Sequence, residues 1–254
     1  MRTLKVVFPN ARGNELAGSL DLPSASAPRA YAIFAHCFTC NRNYKFIRYI
    51  ARTLAREGVA VLRLDFTGLG ESTGRFDETN FSTTVDDLLA AADFLAAQYQ
   101  SPRLLIGHSL GGTAVLAAAP RLRGIDAVVT VNAPAQPGHV LEQLDVETEV
   151  ARAGHASVNI GGSNWNITAQ LVDDLRQARA APERLEAALL VLHATRDATA
   201  GMEHAERIFA AASQPKSLVA LPQADHLLSR EADALYAARL ILAWSSAYLG
   251  ADAT

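Results

Sequence analysis

The sequence has few cysteines, no excess of basic charge and no long apolar segment. Its 2 cysteines among 254 residues are too few for a disulfide scaffold, so a reducing cytoplasm is the expected location. The formal net charge is −3 without a cluster of Lys and Arg, which argues against a nucleic-acid partner. No apolar run approaches the roughly 20 residues of a membrane-spanning helix, and the initial segment MRTLKVVFPN lacks the apolar core of a signal peptide. We therefore expect neither a nucleic acid nor a membrane as a partner.

The sequence does contain enough apolar residues for a large core, with a hydrophobic fraction of 50%. We interpret the whole chain, 1–254, as one domain, because no linker or internal repeat divides it. Short apolar runs, typical of strands buried on both faces of a parallel sheet, alternate with longer segments rich in Ala and Leu. The predicted strands are 30–36, 58–66, 102–108, 125–133, 188–194 and 216–222, and the predicted helices are 44–56, 81–99, 110–119, 202–212 and 230–248. This alternation predicts an α/β fold with a mostly parallel central sheet and helices on both faces.

Two segments depart from this alternation. Near the N-terminus, LKVVF and ELAGSLDL are joined through residues 10–14 and predict an antiparallel pair of strands at the edge of the sheet. Residues 134–181 contain no buried-strand run, but they include an acidic patch and the sequence SVNIGGSNWNI. We interpret this segment as a small cap insertion that covers the sheet and carries a hairpin at 157–167.

A G-x-S-x-G pattern, Gly107-His108-Ser109-Leu110-Gly111, joins a predicted strand to a predicted helix. In that context the pattern is typical of a nucleophile elbow, whereas a chance Gly/Ser turn is the alternative. The sharp turn strains the serine backbone, and the flanking glycines allow neighbouring backbone to approach closely. We therefore predict that Ser109 is a catalytic nucleophile, with the N–H groups of the following helix directed at a developing oxyanion.

A serine nucleophile requires a base that is oriented by an acid. Asp197 follows the predicted strand that ends in LLVLH, and His226 follows the next predicted strand, SLVALP. Because adjacent parallel strands end at the same edge of a sheet, their loops can bring a carboxylate and an imidazole together. We predict that Asp197 and His226 complete the triad. Asp225 is the alternative acid, but its carboxylate would have to turn back onto the ring of its own neighbour.

The remaining histidines receive structural interpretations. His108 is expected to support the nucleophile by packing, His193 to make a hydrogen bond in the core, and His36 to brace its loop. Solvent exposure is expected for His139, His155 and His204. No metal-ligand spacing such as H-E-x-x-H appears, so neither a metal nor a cofactor is predicted.

Taken together, these motifs resemble the α/β-hydrolase superfamily over nearly the whole chain. The motifs are GHSLGG at 107–112, HCFT at 36–39, DFTGLGES at 65–72, Asp197 and His226. The HxFT loop and the position of the short cap resemble the branch that includes feruloyl and cinnamoyl esterases. The chain also resembles the hydrolase half of bacterial proteins fused to an osmotically induced, peroxidase-type domain, for which we expect no room within these 254 residues. The resemblance implies an α/β-hydrolase fold and serine hydrolase chemistry, without fixing the substrate.

The resemblance also implies the residues of an oxyanion hole. In this superfamily one donor is the backbone N–H after the nucleophile and the other lies in the loop after the 30–36 strand, which assigns Leu110 and Phe38. Cys37 stands where hydrolases commonly have glycine. Two thiolates, Cys37 and Cys40, are too few for a structural zinc site, so we expect them to pack beside the active site, with a regulatory disulfide as the alternative.

A glycine-rich stretch, GLGESTG at 68–74, follows a predicted strand and resembles a dinucleotide fingerprint. Its third glycine comes one residue later than the G-x-G-x-x-G pattern requires, and no predicted helix begins directly after it. We interpret it as a tight loop whose N–H groups bind Asp65. A nucleotide-dependent oxidoreductase using Gly68–Gly74 remains the alternative from another class, and a hydrolase-fold binding protein without activity is a third.

The predicted function is hydrolysis of small or medium acyl or aryl esters through an acyl-enzyme on Ser109, with a small-molecule substrate and no cofactor. Thioester hydrolysis and small-peptide or amide hydrolysis are alternatives at the same site. Trp165, flanked by Asn164 and Asn166 in the predicted hairpin, is expected to bind substrate with one ring face and to direct its N–H toward solvent. The alternative is that Trp165 only anchors the hairpin to the sheet. The oligomeric state is not predicted.

Overall fold

The computed structural model of the protein describes residues 1–24 and 27–250. Its strands are β1 (Arg2–Pro9), β2 (Glu15–Leu22), β3 (Ala30–Ala35), β4 (Val59–Leu64), β5 (Leu104–His108), β6 (Ala127–Val131), β7 (His155–Ile160), β8 (Ser163–Thr168), β9 (Ala188–Ala194) and β10 (Lys216–Leu221). Its helices are α1 (Lys45–Arg56), α2 (Phe81–Gln98), α3 (Leu110–Ala118), α4 (His139–Leu144), α5 (Glu147–Ala153), α6 (Ala169–Gln177), α7 (Met202–Ala211) and α8 (Glu231–Ser245). Short 3-10 helices lie at Phe76–Glu78, Ala119–Arg121 and Pro182–Arg184.

Within the described residues, the central sheet contains eight strands in the order β1-β2-β4-β3-β5-β6-β9-β10. From β4 to β10 every neighbouring pair is parallel. The N-terminal strands β1 and β2 are antiparallel to each other, and β2 is antiparallel to β4. The predicted mostly parallel sheet and its antiparallel edge pair are therefore confirmed.

Helices cover both faces of this sheet, which is why its inner strands are continuous apolar runs. All residues of β3, β4, β5, β6 and β9 are buried. One core contains the apolar side chains of α1 and α8, and the core on the opposite face contains those of α2, α3 and α7. The strand β10 differs from the prediction: it lies at the edge of the sheet and most of its residues are only half-buried, because a neighbouring strand flanks it on one side only.

Helix α2 shows how a polar residue sets an element boundary. Asn80 is its N-cap: the side chain accepts a hydrogen bond from the backbone N–H of Thr83, whose hydroxyl in turn accepts from the backbone N–H of Asn80. These bonds satisfy groups that the first turn of a helix leaves without partners. The sequence predicts the start of this helix correctly.

Residues 134–181 contain α4, α5, the antiparallel hairpin β7–β8, and α6. The hairpin turns at Gly161 and Gly162, which both have positive φ values, and it extends slightly beyond the predicted 157–167. The segment is fixed to α2 by Asp174, whose carboxylate accepts hydrogen bonds from the backbone N–H and the hydroxyl of Ser82.

Within residues 1–24 and 27–250, no helix combines the length and apolar character needed to cross a membrane.

Candidate active site

Ser109 lies in the sharp turn between β5 and α3. Its φ of 53° is in the left-handed region that non-glycine residues rarely adopt. Glycines are needed on both sides: a Cβ on Gly107 would collide with the backbone of Gly111, and a Cβ on Gly111 would collide with the carbonyl oxygen of His36. The backbone N–H of Ser109 donates to the oxygen of Val131 at 2.9 Å, which connects the turn to β6.

A chain of hydrogen bonds connects Ser109, His226 and Asp197. The Nε2 atom of His226 lies 3.0 Å from Oγ of Ser109, and Nδ1 lies 2.7 Å from Oδ2 of Asp197. The other carboxylate oxygen of Asp197 accepts the backbone N–H groups of Thr199 and Ala200 at 2.8 and 2.9 Å. The structure thus brings together the three side chains predicted as a triad.

Asp225, the alternative acid, has a different partner. Its Oδ1 accepts the backbone N–H of Ser229 at 2.8 Å and closes the turn after His226. The carboxylate in contact with the imidazole is therefore that of Asp197, as the sequence favours.

The environment of Asp197 keeps its carboxylate ionised. Its side chain is fully buried, and burial by itself raises the pKa of a carboxyl. The hydrogen bond and charge of His226, with the N–H groups of Ala200 and Thr199, outweigh burial, so the pKa of Asp197 is below its ordinary value. A carboxylate in this state can orient an imidazole and stabilise its protonated form.

His108 contacts the backbone of His226 from the buried side and has the supporting role predicted for it. It is buried, and its Nε2–H donates to the carbonyl oxygen of His226 at 2.6 Å. Burial lowers the pKa of His108 from 6.5 to about 3, with a further contribution from the nearby His226, so the ring is neutral at physiological pH. Its Nδ1 has no hydrogen-bond partner in the described part of the chain.

The predicted structural roles of His36 and His193 are confirmed. His36 donates from Nδ1 to the oxygen of Cys37 at 2.8 Å, and its Nε2 accepts the N–H of Phe66 at 3.3 Å. Burial lowers the pKa of His36 to about 4. His193 donates from Nε2 to the oxygen of Ala200 at 2.7 Å, inside the loop that carries the acid.

The exposure predicted for the remaining histidines is correct for His155 and wrong for His139 and His204. His204 is buried under residues 134–181, and its Nδ1 accepts the N–H of Ala135 at 3.2 Å. Its ring lies 4.2 Å from that of His139, which is largely covered and donates from Nε2 to the oxygen of Thr199 at 2.7 Å. The sequence predicts this covering segment but not its contacts with His204, which is the reason for the difference.

The loop after β3 carries the predicted oxyanion donor Phe38. Cys37 and Cys40, on either side of it, form a disulfide, which corrects the expectation of two packed thiols. Phe38 lines the same cavity as Ser109, and Leu110 is the first residue of α3, where a backbone N–H has no acceptor within the helix. The predicted donors therefore lie on the two segments that flank the nucleophile.

The glycine-rich loop at 68–74 is occupied by a carboxylate. Asp65 accepts the backbone N–H of Glu71 at 2.9 Å, and a Cβ on Gly70 would collide with that same carboxylate. Asp65 also accepts the N–H of Arg42 and forms a buried ion pair with its guanidinium. The tight loop around Asp65 is confirmed, and the carboxylate occupies the position at the Glu71 N–H that a pyrophosphate would need. No local sequence pattern indicates the role of Arg42, because its partner Asp65 is 23 residues away in the chain.

A cavity of about 850 Å³ opens above Ser109. Its apolar wall includes Phe38, Tyr44, Leu144, Ile160 and Trp165. Trp165 is half-buried, and its ring lies 4.8 Å from that of Phe76, which in turn contacts Phe38. The expectation that its N–H faces solvent is wrong: Nε1 is buried and has no hydrogen-bond partner among residues 1–24 and 27–250.

The part of the chain that the structure describes contains no group of three or more His, Cys, Asp or Glu side chains able to hold a metal ion.

Comparisons with known proteins concern the family and the fold of the chain. Residues 26–144 match the family model described as serine aminopeptidase, S33. The esterase domain from a Rhodothermus marinus protein is 42% identical to this chain, with 98% of this chain and 100% of that one covered and a TM-score of 0.80. Est1E from Butyrivibrio proteoclasticus, solved with ferulic acid bound, is 20% identical, with 96% and 99% covered and a TM-score of 0.79, a likeness of fold.

A curated relative is the uncharacterized protein YfhR of Salmonella typhimurium. It is 29% identical to this chain over 177 residues, which are 68% of this chain and 57% of YfhR. The match thus spans little more than half the length of that relative.

Proposed function

Since this chain belongs to the α/β-hydrolase superfamily, we propose that it is a serine hydrolase that cleaves carboxylic esters of small or medium acyl or aryl acids. The observation that carries the proposal is the chain of hydrogen bonds from Ser109 through His226 to Asp197. The Rhodothermus marinus domain, similar over its whole length, is described as an esterase domain.

Each residue of the chain has a role in acyl transfer. With the imidazole proton held on Nδ1 by Asp197, Nε2 of His226 accepts the proton of the Ser109 hydroxyl as Oγ attacks the ester carbonyl. The proton then passes to the leaving alkoxide oxygen, the C–O bond breaks, and an acyl-enzyme remains on Ser109. Water, deprotonated by the same Nε2, releases the acid and restores the hydroxyl.

The oxyanion of each tetrahedral intermediate is stabilised by the backbone N–H groups of Phe38 and Leu110. The apolar cavity wall suits the acyl or aryl part of a small-molecule ester. Thioesters and small amides undergo the same acyl transfer, so they are alternative substrates of the same site.

The test is covalent labelling combined with turnover. A fluorophosphonate probe is expected to form an adduct on Ser109, and Ser109→Ala is expected to lose the adduct and to lower kcat on p-nitrophenyl acetate by at least about 10⁴-fold. The control is Ser163→Ala, a serine of β8 at the same cavity, which is expected to label like the wild type. Turnover by a folded Ser109→Ala variant at near wild-type rate, or an absorbance spectrum of bound nicotinamide in the purified protein, would contradict the proposal.

A further inference from the structure

Asn132 follows β6, the strand beside the one that leads to Ser109. It is fully buried and has a φ of 51°, a left-handed conformation that asparagine adopts more readily than other non-glycine residues. Its backbone N–H donates to the oxygen of Leu192 in β9 at 2.9 Å. A buried polar residue in this conformation is costly unless its side chain is fully bonded.

The side chain of Asn132 makes hydrogen bonds to both loops that carry the rest of the triad. Its Oδ1 accepts the backbone N–H of Ala194, the last residue of β9 before the loop of Asp197, at 2.8 Å. Its Nδ2 donates to the carbonyl oxygens of Asp225 at 3.2 Å and of His226 at 2.8 Å. One amide group therefore connects the acid loop to the histidine loop.

Val131, the residue before Asn132, contacts the segment that carries Ser109. The oxygen of Val131 accepts the backbone N–H of Ser109, so two consecutive residues contact the backbones of all three catalytic segments. The loop of His226 needs such a connection because it follows β10, which pairs with only one strand, β9, among the residues that the structure describes. The carbonyl of His226 accepts a second bond from His108 on the same buried side.

We propose that Asn132 is a positioning residue that holds the imidazole of His226 at bonding distance from both Ser109 and Asp197. This inference rests on the proposed function, since it assigns a role within the triad. Asn132 acts through the backbone of its partners, so its removal should affect the chemical step more than substrate binding. A displacement of about 1 Å at a reacting group can cost about 10²-fold in rate.

The first test is Asn132→Gly, which keeps the left-handed backbone available and removes the three side-chain bonds. We expect kcat to fall by about 10- to 100-fold with KM changed by less than about threefold. The downfield ¹H NMR resonance of the His226 Nδ1 proton should shift or broaden. The control is Thr130→Val, a buried change two residues earlier whose hydroxyl has no partner in the described part of the chain, and it should leave kcat and the resonance unchanged.

The second test is Asn132→Asp, which keeps the acceptor for Ala194 and replaces the amide donor by a carboxyl. While protonated, this group can still donate to one carbonyl oxygen, but once ionised it faces two oxygens of like partial charge. The ratio of variant to wild-type kcat should therefore fall as the pH rises from about 6 to about 9, where buried carboxyls titrate. A residue that only stabilised the fold would give a ratio independent of pH.

The outcomes separate this inference from the proposed function. A folded Asn132→Gly variant with kcat within about twofold of wild type and an unchanged resonance overturns the positioning role. If Asn132→Gly does not fold, a ratio for Asn132→Asp that is constant with pH overturns it instead. If the wild type neither labels at Ser109 nor hydrolyses esters, the proposed function fails, while the NMR comparison, which needs no turnover, still decides whether Asn132 positions His226.

Discussion

The variant Asp197→Asn has an amide nitrogen in place of one carboxylate oxygen. The hydrogen-bond partners of Oδ1 and Oδ2 determine which of the two oxygens is replaced. Oδ1 of Asp197 accepts two backbone N–H groups, from Thr199 and Ala200, so the amide oxygen of the variant must take that position. The NH₂ group then takes the place of Oδ2, which lies 2.7 Å from Nδ1 of His226 in the wild-type protein. A donor at Nδ1 forces the imidazole proton onto Nε2, which directs it at Ser109 and removes the base.

The expected loss of kcat in Asp197→Asn follows from the two hydrogen bonds accepted by Oδ1. Flipping the amide to the productive orientation would forfeit both, at about 1 to 1.5 kcal/mol each, or about 2 to 3 kcal/mol together. Only about 0.6 to 3% of molecules would then hold the correct tautomer. Loss of the carboxylate charge beside the developing imidazolium adds to this, so Asp197→Asn should lower kcat by between about 10² and 10⁴-fold.

The assay is steady-state hydrolysis of p-nitrophenyl acetate with the two matched variants Asp197→Asn and Asp225→Asn. An asparagine at 225 can still accept the N–H of Ser229, so Asp225→Asn should remain within about threefold of wild type. More than about a tenth of wild-type kcat in a folded Asp197→Asn variant, or a larger loss in Asp225→Asn, would refute the assignment of the acid.

Three further predictions concern the surroundings of the site. Replacing both Cys37 and Cys40 by serine should lower the free energy of unfolding by about 2 kcal/mol, the chain-entropy value for a loop closed over a separation of three residues; an unchanged urea midpoint would contradict it. Lowering the pH from about 7.5 to about 5 should destabilise the protein by about 4 kcal/mol, because the unfolded chain protonates His36 and His108 near pH 6.5, whereas the folded protein does so only near pKa values of about 4 and about 3. Because the unfolded state binds more protons in this range, stability falls as the pH is lowered. Urea unfolding with the same midpoint at both pH values would be the contrary result. Trp165→Ala should reduce kcat/KM on aryl esters more than on acetyl esters, and Trp165→Phe should retain most of the aryl activity; equal losses on both ester classes would instead assign Trp165 to anchoring the hairpin.

Several features of this protein were determined by the sequence alone, because their causes are local. Apolar runs of strand length alternating with helical segments predict the parallel sheet, since each pattern reflects what its own element buries. The glycines at 107 and 111 predict the turn at Ser109, because that backbone conformation excludes side chains on its neighbours. The positions of Asp197 and His226 after consecutive strands predict that they lie close together, because parallel strands end at a common edge.

Other features depended on contacts between residues that are distant in the chain, and only the tertiary structure decided them. The burial of His204 and the environment of the Trp165 N–H depend on how residues 134–181 lie on the sheet, which no local period encodes. The bonds of Asn132 to Ala194, at the end of β9, and to His226 span more than 60 residues. Its sequence context, a single asparagine at the end of an apolar run, therefore carries no signal of its partners. Local patterns specify which groups a segment must bury or expose, whereas the partner that satisfies a buried polar group is set by the packing of the whole chain.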